Sequence, residues 1–251
     1  MSEAKSKIQV IDRMVSLMDA LSSYDKPISL KFLSADTGLH PSTAFRILTS
    51  LIEHGVVERT DSSHYRLGTR LLRWSDRVHT RLDLRSEARP IMEWLCEQID
   101  ETVNLTVREG DEVVYVERVT GRRAIRVEQV IGSHAPLHVT AVGKLMLGDM
   151  GEASVHDYAQ RTGLGKFTEN TLTTENDLKR EVKKDIANGF ALDNEEAELG
   201  VGCIGVLIRD ATGKVVAGLS VSAPIERRKP EWIASVVEAG RKISNRLGYQ
   251  D

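Results

Sequence analysis

Residues 26–67 open with Lys26-Pro27-Ile28-Ser29 and run through a short helical stretch to Asp36. They continue Thr37-Gly38-Leu39-His40-Pro41-Ser42-Thr43-Ala44-Phe45-Arg46-Ile47-Leu48-Thr49-Ser50-Leu51, then His54-Gly55-Val56-Val57. Ser29 stands where a side-chain oxygen caps a helix. Gly38 tolerates the left-handed backbone that ends one. Pro41 suits the first turn of the next helix, because its missing N–H is not needed there. Ala44, Ile47, Leu48, Leu51 and Ile52 recur at helical spacing and face inward. Ser42, Thr43, Phe45, Arg46 and Thr49 are left facing out. A short helix, a tight turn and a second helix with a small polar face is the form that enters a major groove.

The next residues extend the motif. Val56-Val57-Glu58-Arg59 and Tyr65-Arg66-Leu67 read as short strands around Asp61-Ser62-Ser63. That hairpin is a wing, and His64 and Arg66 are expected near its tip as phosphate contacts. Together with Ser42, Thr43, Phe45, Arg46 and Thr49 they form the expected surface for double-stranded operator DNA. A helix-turn-helix used only for packing has no need of a Ser/Thr/Arg outer face.

The formal charge of −3 over 251 residues fits a nucleic-acid partner poorly until it is divided. Residues 1–80 hold 11 Lys/Arg against 9 Asp/Glu (+2); the rest holds 23 against 28 (−5). The slight positive excess sits with the helix-turn-helix, and two copies in a dimer would double the phosphate contacts. The two cysteines, Cys96 and Cys203, are far apart. They make no disulfide framework or thiolate zinc site and fit a reducing cytoplasm. Met1–Lys7 leads into an amphipathic helix and not a continuous apolar core, so no signal peptide is read, and no apolar run reaches the ~18 residues needed to span a bilayer.

Along the chain, residues 8–21 put Ile8, Ile11, Met14, Val15, Met18 and Leu21 on one helical face, read as core. Residues 69–83 read as a linker helix with Arg70, Arg73, Arg77 and Arg81 interspersed. Another helix spans 84–100. The period then changes to two: Val103, Leu105 and Val107 alternate with polar residues, Glu109-Gly110-Asp111 turns, and 113–118 returns. Residues 124–128 read as a third strand. A short helix starts at Thr140. An amphipathic one over 178–186 ends at Asn188-Gly189. Strands at 204–208 and 215–222 flank Asp210-Ala211-Thr212-Gly213, and a last helix runs from about 230 to 247. The sum is α+β with an antiparallel sheet.

These residues resemble the IclR family of bacterial transcription regulators. The resemblance rests on four signatures in order: Gly38–Leu48 with Tyr65-Arg66-Leu67-Gly68; Glu101-Thr102-Val103-Asn104-Leu105 with 113–118; Pro136-Leu137-His138-Val139-Thr140-Ala141-Val142-Gly143-Lys144; and Gly189-Phe190-Ala191-Leu192-Asp193-Asn194-Glu195-Glu196 with Gly200-Val201-Gly202-Cys203-Ile204. It implies a winged helix-turn-helix over 1–68, a linker helix over 69–83 and a GAF-like effector-binding and oligomerisation domain over 84–251. It also implies a homodimer or homotetramer. Phe45 departs from the polar or basic residue many relatives carry, and either touches a thymine methyl or packs.

The resemblance puts the effector pocket between the third and fourth signatures. It assigns backbone contacts to Ala141 and Val142, and ligand contacts to Asp193, Cys203, Ser220 and Ser222. The residues agree: Thr140-Ala141-Val142-Gly143-Lys144 starts a helix whose free N–H groups suit a carboxylate, and alternation puts both serines on one strand face. Bland readings stand beside each assignment. Cys203 is equally a small buried hydrophobe, Asp193 equally a structural cap, and Lys144 is expected to point outward. The expected effector is a small organic acid, with an aromatic carboxylate such as a hydroxybenzoate as one candidate. Cys203 with His134, His138 or His156 lacks a nucleophile signature. No phosphate loop, HExxH or dinucleotide fingerprint occurs, so no enzyme activity, cofactor or metal is expected. The competing class is a small-molecule-binding or catalytic domain whose helix-turn-helix serves only dimerisation.

Overall fold

A computed structural model describes residues 8–79 and 83–250, without side chains over 76–79. The expectations for residues 1–7, for Arg81 and for the side chain of Arg77 lie outside the described residues. The chain divides into two compact units, Met1–Arg81 and Leu82–Asp251.

In the first unit, helices α1 (Gln9–Ser22), α2 (Leu30–Thr37) and α3 (Pro41–Glu53) close on a core of Leu17, Leu21, Leu33, Ala44, Leu48 and Leu51. Gly38 ends α2 at φ 66°, and Pro41 opens α3. His40 caps α3, its ring nitrogen accepting from the Ser42 N–H at 3.4 Å. Ser29 holds the cap position of α2 but makes no side-chain bond. Its backbone is extended because it belongs to a strand, β1 (Ile28–Ser29), which was not expected. β1 pairs with β3 (His64–Leu67), which pairs in turn with β2 (Val57–Arg59), so the wing has three strands in the order β1-β3-β2. Tyr65 is buried beneath them.

The stripe on α1 is only half core. Leu17, Ala20 and Leu21 are buried, whereas Ile8 is 60% exposed and Ile11 and Val15 lie open. The unit is too small to cover fourteen residues of helix, so its own core ends near Met14. Helix α4 (Arg70–His79) follows the wing. Arg70 donates to the His54 carbonyl at 2.8 Å.

The second unit is built on a six-stranded antiparallel sheet ordered β6-β5-β4-β9-β8-β7. The strands are β4 (Thr102–Glu109), β5 (Glu112–Val119), β6 (His134–Pro136), β7 (Ala191–Asn194), β8 (Val201–Arg209) and β9 (Val215–Pro224). Alternation sorts their side chains. Val103, Leu105, Ile204, Val206, Leu219 and Val221 face α5 (Leu84–Ile99) and α9 (Trp232–Arg246) in the main core. Each fully buried side chain of this size is worth about 1.5–3 kcal/mol. The other face carries α6 (Ala141–Asp149), backed by α7 (Glu152–Thr162) and α8 (Glu175–Asn188). α7 was not expected.

Residues 124–128 are not a strand. The edge of β5 pairs instead with β6, over Glu112–Val114. The expected strand runs as an irregular segment, with Ile125 among the exposed apolar residues.

Candidate functional site: the outer face of α3 and a cavity at the start of α6

Helix α3 presents Ser42, Phe45, Arg46 and Thr49 to solvent. Phe45 is 44% exposed, a high value for an aromatic residue. Arg46 makes no ion pair among the described residues. The Thr49 hydroxyl donates to the Phe45 carbonyl at 2.8 Å, so its proton is spent inside the helix. Thr43 is half-buried and lines a groove with Ile11, Met14 and Ile47, at whose wall Arg46 also stands.

The wing corrects one expectation. The turn is made by Asp61–Ser63, and His64 and Arg66 lie on β3 behind it. Arg66 is tied across the hairpin to Glu58, Nε to Oε2 at 3.0 Å. This bond holds the Glu58 carboxyl below its usual range. The pairing arises because residues 58 and 66 are cross-strand partners. Arg59, at the end of β2, has no acidic partner among the described residues. It reaches Ser63 at 2.8 Å beside the turn, so the free cation of the wing is Arg59.

In the second unit, Gly205 and Gly218 face α6. A Cβ on Gly218 would lie 2.7 Å from the Val142 side chain, and one on Gly205 would lie 2.9 Å from the Val142 nitrogen. Two glycines, offset by two residues on the neighbouring strands β8 and β9, thus let the first turn of α6 rest on the bare sheet. Thr140 caps that turn by accepting from the Gly143 N–H at 3.1 Å. The N–H groups of Ala141 and Val142 belong to the first turn, where no helical carbonyl is available.

A cavity of about 260 Å³ opens at this point. Ala141, Val142, Asp193, Cys203 and Ser220 all line it, with Tyr115, Gln129 and Phe167 among the other wall residues. Ser222 does not line it and stands one bond behind. Its hydroxyl is 3.3 Å from the Cys203 thiol and 3.1 Å from Asn104 Nδ2, which also reaches Gln129 Oε1 at 3.0 Å. Ser220 is 6% exposed, yet its hydroxyl has no hydrogen-bond partner among the described residues. Asp193 is 2% exposed and accepts from the Glu196 N–H at 2.8 Å. Burial raises its carboxyl above the ordinary range. Burial also pushes the Cys203 thiol well up, which makes it a poor nucleophile.

Lys144 overturns its expectation. It is fully buried, and its ammonium donates to both carboxylate oxygens of Glu196, at 2.6 and 2.7 Å, and to the Leu192 carbonyl at 2.7 Å. The pair ties α6 to the β7–β8 connection. A lone lysine within Ala141-Val142-Gly143-Lys144-Leu145-Met146-Leu147 was the available signal, since an outward lysine seldom interrupts so apolar a run. Tyr115, Gln129 and Phe167 carried no such signal.

The three histidines weighed beside Cys203 each have polar partners of their own. His138 is buried, with Nδ1 2.7 Å from the Tyr158 hydroxyl and Nε2 3.0 Å from the Gly165 carbonyl. The carbonyl requires a proton on Nε2, so Nδ1 accepts from the hydroxyl. Burial lowers the ring's pKa, and the neutral ring suits this arrangement. His134 meets Glu112 at 3.1 Å, and His156 meets Glu175 at 2.9 Å.

Two family models match the chain. One, bacterial transcriptional regulator IclR C-terminal, covers residues 76–248; the other, the IclR helix-turn-helix domain, covers residues 10–61. The chain is 30% identical to the HTH-type transcriptional regulator KipR of Bacillus subtilis, over 98% of this chain and 99% of that protein. Among solved structures it is similar to the Agobacterium tumefaciens repressor BlcR, with a TM-score of 0.75 and 25% identity over 98% and 100% of the two chains. It shares its fold with an IclR homolog from Microbacterium hydrocarbonoxydans complexed with 4-hydroxybenzoate, at a TM-score of 0.62 and 24% identity over 95% and 98%.

Proposed function

The chain belongs to the IclR family of bacterial transcriptional regulators, and on that footing we propose how its two units share the work. The protein is a DNA-binding regulator, in a family of regulators and not of enzymes. Residues 1–68 read the operator, 69–83 link, and 84–251 sense the effector. α3 enters the major groove, where Arg46 offers paired donors to a guanine edge and Phe45 an apolar surface to a thymine methyl. Ser42 and Thr49 contact neighbouring base or sugar groups. Arg59 and His64 approach phosphates, with Arg66 the weaker for its tie to Glu58.

The molecule works as a homo-oligomer in the cytoplasm. The open apolar half of α1 supports this, since a second copy placed there covers Ile8, Ile11 and Val15 and presents a second recognition helix.

The effector is a small organic acid held in the cavity at the start of α6. The observation that carries this reading is the unpartnered Ser220 hydroxyl, nearly buried and lining the same cavity as Ala141 and Val142. The free N–H groups and the positive helix end favour an anion. Asp193 and Cys203 stand at the far wall, and Ser222 orients Cys203 from behind. That a fold neighbour holds 4-hydroxybenzoate makes an aromatic carboxylate the first ligand to try.

Two measurements test the proposal. A gel shift with DNA flanking the protein's own gene should give a specific complex that survives competitor DNA. Thermal shift with acetate, pyruvate, benzoate and 4-hydroxybenzoate should raise the melting temperature, and Ser220→Ala should reduce the rise. Stabilisation by neutral or cationic ligands alone would exclude the carboxylate reading.

A further inference from the structure

The charge around Asp193 is already balanced before any ligand arrives. From α6, Lys144 faces it, but that ammonium is fully engaged with Glu196 and the Leu192 carbonyl. From the turn after β9 comes Arg228, whose guanidinium donates to the carbonyls of Asp193 at 2.6 Å and Cys203 at 3.2 Å. Cys203 on β8 and Tyr115 on β5 are neutral neighbours, and burial holds both above their ordinary values. On the cavity wall stand Glu198 and His134, the latter beside Glu112. No described residue lining the cavity is Lys or Arg.

A carboxylate entering this space therefore adds a negative charge beside Asp193 and Glu198 that no lysine or arginine among the described lining residues answers. The start of α6 supplies about half a positive charge. Asp193 shares the same small volume, and two carboxyl groups in such a space do not both stay ionised. Resting on the proposed effector site, we propose that this cavity binds a monocarboxylate together with one proton, held between the ligand and the Asp193 carboxyl. The proton comes from solvent. The neutral carboxyl then donates to a ligand oxygen, while the Ser220 hydroxyl and the N–H groups of Ala141 and Val142 hold the other. The raised pKa of the free Asp193 carboxyl acts in the same direction, since it lowers the cost of protonation. A dicarboxylate brings a second unanswered charge and is excluded.

Isothermal titration of the full-length protein with benzoate, 4-hydroxybenzoate and pyruvate, in buffers of different ionisation enthalpy, tests this. The expected result is uptake of close to one proton per ligand. Affinity should fall about tenfold per pH unit between the free and ligand-bound values of the carboxyl. Asp193→Asn keeps the shape and should bind with an affinity independent of pH and buffer. Wild-type binding with no buffer dependence, release of a proton, or uptake that persists in Asp193→Asn would overturn the linkage and leave the carboxylate site standing. If none of the three acids binds, the carboxylate reading falls and takes the linkage with it. The wild-type titration decides the matter even if the variant does not fold.

Discussion

Lys144 and Glu196 meet at 2.6 Å in an ion pair whose lysine side chain has no solvent exposure at all. Burial raises the Glu196 carboxyl, and the ammonium opposes that rise. Removing one partner leaves the other charged and dry. Lys144→Met should therefore cost about 3–5 kcal/mol, and Lys144→Met combined with Glu196→Met should recover most of it. Urea denaturation of the two variants checks this; equal stability of wild type and single variant would refute the account.

Asp185 on α8 lies near the same lysine, with one carboxylate oxygen buried and unpartnered. Burial pushes its carboxyl up to about 7, with Lys144 pulling the other way. The folded value lies above the unfolded one, so the folded chain holds the extra proton. This contribution is complete below about pH 4 and is lost as pH rises through about 7. Asp185→Asn should accordingly be more stable than wild type above neutrality, by roughly 1–3 kcal/mol, with the difference shrinking toward pH 4. Thermal melts across that range measure it.

On the DNA side, Arg46→Ala should weaken operator binding by about 1–3 kcal/mol and leave ligand stabilisation unchanged. Arg59→Ala should reduce the salt dependence of binding by about one charge, and more than Arg66→Ala does, because Glu58 already offsets Arg66. Fluorescence anisotropy over a salt series distinguishes the two arginines.

Gly218→Ala inserts a methyl group 2.7 Å from Val142. The overpacking should cost about 1–3 kcal/mol and lift the first turn of α6, with loss of carboxylate stabilisation and retention of operator binding. Adding Val142→Gly should restore the ligand response. Melting curves with and without benzoate supply the readout.

The helix-turn-helix was legible because α3 carries both a period and punctuation: Pro41 at its start, Gly38 before it, and Ala44, Leu48 and Leu51 along one face. Strands β4, β5, β8 and β9 of the large sheet were legible, and alternation put Ser220 and Ser222 on one face, whereas the short strands β6 and β7 were not. Strand β1 was not, because two residues become a strand only when β3 arrives beside them. The segment 124–128 alternates as a strand should, but pattern cannot reveal that β6 holds the neighbouring edge. Five lining residues, Ala141, Val142, Asp193, Cys203 and Ser220, are ones the family resemblance singled out. Tyr115, Gln129 and Phe167 come from three separate segments and meet only through tertiary packing. The direction of Lys144 depends on a partner 52 residues away.

The open half of α1 reaches beyond shape. Where a second copy covers that face, association stabilises the folded form by mass action, and the melting temperature of the DNA-binding unit climbs with protein concentration. The fraction of chains able to grip an operator then depends on how many copies the cell contains. On the proposed dimer, expression level itself would become an input to the regulator, alongside its ligand.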